Sequence, residues 1–326
     1  MLDVLYGQVM RLRRRRVERR PERQRRLIRP VISVGNLSVG GTGKTPVVAA
    51  IAQRLIDAGQ RPSILSRGYA RADAPDGVVV VSNGDQILAS VERAGDEPMM
   101  VARQVPRATV CVSPDRHLAG TLAERQLGCT VHILDDGFQH LDLARNLDVL
   151  VTTIGEITGG RVMPMGRLRE PMDAAARAHF LVVSDATVGA ASSEAWTLGI
   201  SQSCGSLRSL GGPVSLSGGL KPAATSHILA VVGIAHPDRF ATMLRDASWN
   251  VVGVMAFPDH HRYTAADVAA IESKRKAAGA DVVFTTDKDA VRLEGLSLPF
   301  DAFRVPLVIE FDPPDALMAS VLAVLQ

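Results

Sequence analysis

Phe, Tyr and Trp together make up only 4% of this 326-residue chain. That is too few for the aromatic platforms on which single-stranded nucleic acid is stacked. Cysteine is scarcer still, and Cys111, Cys129 and Cys204 stand far apart without metal-ligand spacing, which excludes a disulfide framework and a zinc knuckle and suits a reducing, cytoplasmic setting. No run of about 18 apolar residues occurs, so no ordinary membrane span is expected. The short apolar stretch Leu2 to Met10 precedes the charged residues instead of following them, the wrong order for a signal peptide. No internal repeat stands out, which removes the solenoids.

What the chain does contain is a lopsided charge. Its net +3 conceals eleven arginines against Asp3, Glu18 and Glu22 in residues 1–30, a local surplus of eight, so the remaining 296 residues carry a net −5. Basicity therefore belongs to an arm and not to the fold. Apolar residues in front and cations behind suit an interfacial helix whose arginines reach lipid phosphates. A nucleic-acid-seeking basic helix fits the charge alone, but the poverty in aromatics ranks it last. Charge alone does not separate membrane docking from a solvated or nucleic-acid-seeking helix; the expectation of a peripheral membrane-surface arm, with no nucleic acid and no obligate protein partner, rests mostly on the motif resemblance that follows.

Length and an apolar content of 46% favour two α/β domains, since single cores stop growing near ~250 residues. After Pro30, Val31-Ile-Ser-Val34 reads as a buried parallel strand. Residues 44–58 carry helical periodicity and Gly59 closes them. Further strands are expected at 63–66, 78–82, 109–112, 131–134, 149–152 and 180–184, with helices at 97–105 and 116–126. A Gly/Ser-rich stretch, 201–222, reads as a linker or ribbon. Beyond it, strands at 228–232, 251–255 and 282–285 alternate with helices near 238–247 and 265–278. The expected organisation is an arm (1–30), a core domain (31–200), the linker (201–222) and a second, smaller α/β domain (223–326) whose last residues return to the core. The core is a mostly parallel sheet with helices on both faces, of P-loop NTPase type.

The sharpest motif is Ser38-Val39-Gly40-Gly41-Thr42-Gly43-Lys44-Thr45. It follows a strand and opens a helix, where backbone N–H groups and the helix dipole hold a triphosphate. Lys44 would neutralise the β/γ oxygens of ATP and Thr45 would ligate Mg²⁺. The common pattern has glycine at position 38, where this chain has serine. Asp135 and Asp136, at the end of an apolar run, suit Mg²⁺ or its bound water. A GTPase reading fails because Thr285-Thr-Asp-Lys-Asp289 has the wrong spacing for guanine recognition. A membrane-associated partitioning ATPase would carry lysine where Val39 stands. A nucleotide switch or metallochaperone acting on a protein partner remains as the alternative.

Seven motifs, in order, resemble those of the tetraacyldisaccharide 4′-kinases: GNLSVGGTGKTP from Gly35, LSRGY from Leu65, GDEP from Gly95, DDGFQH from Asp135, GRLREP from Gly166, FPDHH from Phe257 and TTDKDA from Thr285. The resemblance implies ATP-dependent transfer of the γ-phosphoryl group to the 4′-hydroxyl of a tetraacyldisaccharide 1-phosphate, forming lipid IVA in lipid A biosynthesis. It implies action at the inner face of the inner membrane, with the lipid disaccharide as partner. It also assigns roles: Asp96 as base, His260 as its partner in preference to His261, and Arg67, Tyr69, Gln139, His140, Arg167, Arg169 and Glu170 to the acceptor. On residue types alone, Gly95-Asp-Glu-Pro98 is the better match to a helix start with an acidic first turn. Asp259-His-His261 alone is equally a polar loop before a helix.

Overall fold

A computed structural model describes residues 2–40, 43–68 and 77–326. These fall into two compact units, residues 1–208 with 309–326, and residues 209–308.

In the first unit the helix α1 (Leu2–Glu18) precedes β1 (Val31–Gly35), α2 (Lys44–Asp57), β2 (Pro62–Ser66) and β3 (Val79–Asn83). Then come α3 (Val91–Ala94), α4 (Asp96–Gln104), β4 (Thr109–Val112), α5 (Arg116–Gln126), β5 (Val131–Asp135) and β6 (Leu147–Thr152). The unit continues through β7 (Phe180–Ser184), α6 (Val188–Leu198) and β8 (Ser203–Leu210). The second unit holds β9 (Val214–Ser215), β10 (His227–Val232), α7 (Pro237–Asp246), β11 (Asn250–Ala256), α8 (Ala265–Ala277), β12 (Val282–Thr285), α9 (Asp287–Leu293) and β13 (Ala302–Arg304). The chain ends in β14 (Leu307–Asp312) and α10 (Ala316–Ala323).

Nine strands form the larger sheet in the order β14-β8-β7-β6-β1-β5-β2-β4-β3. Strand β1 lies between β5 and β6 and is parallel to both. The chain leaves β5 on one side of β1 and enters β6 on the other, so the crevice beyond the strand ends opens beside β1. All residues of β1, β2, β5, β6 and β7 are buried, which is why these strands read as continuous apolar runs. Helix α2 presses Val47, Val48, Ile51, Ala52 and Leu55 into the core, the i, i+4, i+8 stripe of a one-sided helix. It starts after Gly43, whose φ of 86° is left-handed.

Residues 201–222, expected to connect the domains, hold two strands. Strand β8 runs parallel to β7, with Cys204, Gly205 and Ser206 buried. A Cβ at Gly205 would collide with the Ala186 carbonyl, so this glycine serves a close backbone approach inside the sheet and not flexibility. The second unit's sheet has the order β11-β10-β12-β13-β9. Ile228, Phe284 and Phe303 pack on one face and Leu229, Val231 and Ile271 on the other.

The amino-terminal arm is tied to its own unit. Tyr6 donates its hydroxyl hydrogen bond to the Arg169 carbonyl at 3.2 Å, and Gly7 is buried beside Pro171. Arg14 is buried and pairs with Asp173, as does Arg11. Arg25 pairs with Asp115 at 2.7 Å, and Glu124 accepts the N–H groups of Ile28 and Arg29. Three of the arm's cations turn inward: Arg11, Arg14 and Arg25 neutralise carboxylates of the body. The other face of α1 shows Leu2, Leu5, Val9 and Leu12 exposed, spaced 3, 4 and 3 residues apart on one side of the helix. Among the described residues no helix is long and apolar enough to cross a membrane.

Candidate active site

Three loops leave the carboxyl ends of adjacent strands, from residue 36 after β1, 136–146 after β5 and 153–179 after β6. They bring Lys44, Asp135, Asp136, Gln139 and Arg169 together. Lys44 is the first residue of α2 and its Nζ lies 3.3 Å from Asp136 Oδ1. The other oxygen of Asp136 accepts from Arg169 Nη1 at 2.8 Å, and the same nitrogen reaches Gln139 Oε1 at 3.3 Å. Gln139 in turn donates to the Asn36 carbonyl. Asp136 has a φ of 54°, a left-handed backbone uncommon outside glycine and tolerated by Asp at functional sites. Thr45 follows Lys44 in the first turn of α2.

The two carboxylates have opposite electrostatics. Burial pushes the Asp135 carboxyl up to about 7, with the negative charges of Glu97 and Asp136 adding to the effect against Lys44 and Arg116. Asp135 Oδ1 is buried and has no hydrogen-bond partner. Burial also raises Asp136, but Lys44 and Arg169 more than offset it and hold that carboxyl below its ordinary value. A buried, unpartnered carboxylate oxygen beside a second acid is the kind of donor set that could hold a hard divalent cation. Among the described residues no group of three or more His, Cys, Asp or Glu forms a ready cage.

The loop before Lys44 is held on both sides. Val39 donates to the Arg167 carbonyl at 2.8 Å and Arg169 donates to the Leu37 carbonyl at 2.6 Å. The Arg167 guanidinium bends back onto the Val39 carbonyl, and a Cβ at Gly40, φ 116°, would meet it. Ser38 is buried and donates to Glu156 Oε1 at 2.6 Å. Gly41, Thr42 and Tyr69 lie outside the described residues.

The remaining expected residues are placed variously. Asp96 opens α4 directly after Gly95 (φ 86°) and is half-buried. Its neighbour Glu97 acts on the Asp135 carboxyl, so the start of α4 lies within electrostatic reach of the acidic pair. Arg67 is exposed, and its charge is felt at Arg116. His140 borders a cavity of about 370 Å³ with Arg25, Asp115, His117 and Asp142; burial, then Arg116, lowers its imidazole to about 4. Glu170 is not brought to the Lys44 group: it is buried, with both carboxylate oxygens taken by Arg177. His260 belongs to the second unit. There its φ is 62°, Lys288 Nζ lies 3.1 Å from Nε2 and Arg292 Nη2 lies 3.0 Å from Nδ1. His261 instead reaches Asp267, the third residue of α8 and partner of the Thr264 cap.

Two residues of the site were not singled out from sequence. Arg116 is buried at the first position of α5 and donates to the Ser113 and Pro114 carbonyls, with its Nε unpartnered. Burial first, then the charge of Arg67, lowers the guanidinium to about 10, while Asp135 and Asp136 pull the other way. A cation at a helix N-terminus opposes the helix dipole, and that mismatch is the signal in the sequence. Glu156, in the loop after β6, carries no such signal.

A protein-family model described as LpxK, tetraacyldisaccharide-1-P 4'-kinase, matches residues 1–326. The chain is 42% identical over 294 residues to a tetraacyldisaccharide 4'-kinase of Geobacter sulfurreducens, covering 89% of this chain and 82% of that protein. It is 37% identical over 332 residues to that of Desulfotalea psychrophila, covering 98% and 94%. A crystal structure of LpxK from Aquifex aeolicus in complex with ATP superimposes with a TM-score of 0.81 at 29% identity, covering 100% of this chain and 98% of that one. With matching motifs, fold and whole-length similarity in hand, the chain belongs to the tetraacyldisaccharide-1-P 4'-kinase family.

Proposed function

We propose that this kinase performs its reaction, transfer of the ATP γ-phosphoryl group to the 4′-hydroxyl of a tetraacyldisaccharide 1-phosphate, at the Lys44 loop and the Asp135–Asp136 pair. The observation that carries the reading is Lys44 at the start of α2, 3.3 Å from Asp136, next to the unpartnered buried oxygen of Asp135. Phosphoryl transfer asks the protein chiefly for positioning and charge neutralisation. The N-terminus of α2 offers its dipole to the phosphates, and Lys44 neutralises their outer oxygens. Thr45, Asp135 and Asp136 would hold Mg²⁺, which would supply neutralisation of phosphate charge when bound. Asp96 takes the proton of the attacking sugar hydroxyl, and His260 has the catalytic role that the resemblance implies. Arg67, Tyr69, Gln139, His140, Arg167 and Arg169 remain for the acceptor's sugar oxygens and 1-phosphate, with Arg116 added. Incubation with labelled ATP and tetraacyldisaccharide 1-phosphate in detergent micelles yields a bisphosphorylated lipid, and Lys44→Met lowers its rate by roughly 10²–10³-fold. Undiminished turnover by that variant would remove the loop from the mechanism.

The enzyme acts as a peripheral protein on the inner face of the inner membrane, docked through α1. The exposed stripe of Leu2, Leu5, Val9 and Leu12 supports this, as do the exposed Arg13, Arg15 and Arg16 that follow it. Leaving the acyl chains in the bilayer avoids exposing them at about 0.8 kcal/mol per CH₂. The double variant Leu5→Glu/Leu12→Glu binds anionic lipid vesicles at least about tenfold more weakly, since each buried leucine is worth more than ~1.4 kcal/mol. Flotation with the vesicles at the parent protein's level would exclude α1 as the anchor.

A further inference from the structure

We propose that Glu156 is a positioning residue for the phosphate loop, acting through the hydroxyl of Ser38. The proposal rests on the reading that residues 38–45 seat the triphosphate. Position 38 is where the common loop pattern has glycine, and here the side chain is put to use. Ser38 is 1% exposed and its Oγ lies 2.6 Å from Glu156 Oε1, a short bond to a carboxylate of the stronger, charge-assisted kind. Asn36 Nδ2 approaches the same hydroxyl at 3.4 Å. The second carboxylate oxygen, Oε2, accepts from Thr152 Oγ1 at 3.3 Å and from the Thr153 N–H and Oγ1 at 3.4 Å each. Glu156 is thereby fixed to the carboxyl end of β6, the strand paired with β1.

The loop's entry limb, Leu37 to Val39, is thus clasped between two supports. On one side its backbone bonds to residues 167–169, with Ser38 bridged to Leu168. On the other, the Ser38 hydroxyl is anchored to Glu156. A phosphate loop binds well only when its N–H groups already converge, because ordering them on binding subtracts from affinity. A glycine at 38 would leave that limb held on one side only. The serine in place of glycine is therefore a latch: it trades conformational freedom for a fixed loop, and Glu156 is what it latches to.

Ser38→Gly and Glu156→Gln, singly and together, test this by ATP dissociation constants and steady-state kinetics, with Lys44→Met alongside. Ser38→Gly moves the chain toward the common pattern, yet its KM and dissociation constant for ATP are expected to rise roughly tenfold while kcat changes less than about threefold. Glu156→Gln does the same, and the double variant is no worse than the poorer single one, because both remove one interaction. A Ser38→Gly enzyme with parental ATP affinity overturns the proposal, as do effects that multiply in the double variant or a loss confined to kcat. If Glu156→Gln fails to fold, Ser38→Gly alone decides, since it removes only a hydroxymethyl group. Parental turnover by Lys44→Met sinks the seating of the triphosphate, and the latch with it. Loss of turnover there, with Ser38→Gly unaffected, sinks the latch alone.

Discussion

Asp96→Asn lowers kcat by two to four orders of magnitude, about the contribution of a positioned general base, while KM for ATP stays within about threefold. The competing role of Asp96 is purely local. It is the first residue of α4, where a carboxylate favours the helix dipole by roughly 0.3–1 kcal/mol, and losing that alters stability slightly and turnover not at all. Asparagine keeps the size and hydrogen-bonding oxygen of the side chain but cannot take a proton at neutral pH. The substitution therefore separates the two roles cleanly. Asp96 is half-buried, and the charge of the adjacent Glu97 is felt at Asp135. His260→Ala is expected to lower kcat as well, in keeping with the catalytic role that the resemblance implies for it. The ring of His260 is held between Lys288 and Arg292 on a left-handed backbone, a conformation that persists only when its surroundings enforce it. Steady-state kinetics on micellar acceptor checks both variants, and an Asp96→Asn enzyme within threefold of the parent would leave Asp96 only its favourable place in the helix dipole.

Much of the first unit was legible because its strands are buried on both faces and its helices on one. Val31 to Val34, 131–134 and 180–184 are apolar runs with no alternation to misread; helix α5 carries Asp115 as a side-chain cap onto Leu118. The failures have particular causes. Strand β8 is spelled Ser-Cys-Gly-Ser-Leu-Arg-Ser-Leu, small polar residues chosen for the tight approach of Ala186 at Gly205, and composition alone makes that a linker. Strands β9 and β13 are two and three residues long, too short for any period to appear. In the site, motif spacing identified the residues that sit on strand ends and helix starts, Lys44, Asp135 and Asp136. It could not say which way a loop arginine turns. Arg167 faces the backbone of the phosphate loop and Arg169 faces Asp136, and those directions depend on contacts between loops far apart in sequence.

Glu170 shows what this costs, and the second large effect follows from it. The resemblance places Glu170 at the acceptor, yet its carboxylate is 4% exposed and takes two hydrogen bonds from Arg177 at 3.1 and 3.2 Å. Arg177 stacks over the Phe138 ring at 4.4 Å and donates to the Phe138 carbonyl. The pair braces the DDGFQH loop from below, beneath the residues that carry Asp136 and Gln139. Arg177→Met leaves a buried carboxylate without its partner, a change that typically costs about 3–5 kcal/mol. For a unit of this size the corresponding drop in melting temperature is on the order of 10 °C. Glu170→Met combined with Arg177→Met restores part of that loss, because no charge is then stranded. An acceptor-binding role makes the opposite forecast: Glu170→Gln would raise KM for the lipid disaccharide and leave the melting temperature where it was. Calorimetric unfolding of both variants decides between them. A Arg177→Met protein that melts within a degree or two of the parent would show that the ion pair does not brace the loop and would hand Glu170 back to the acceptor.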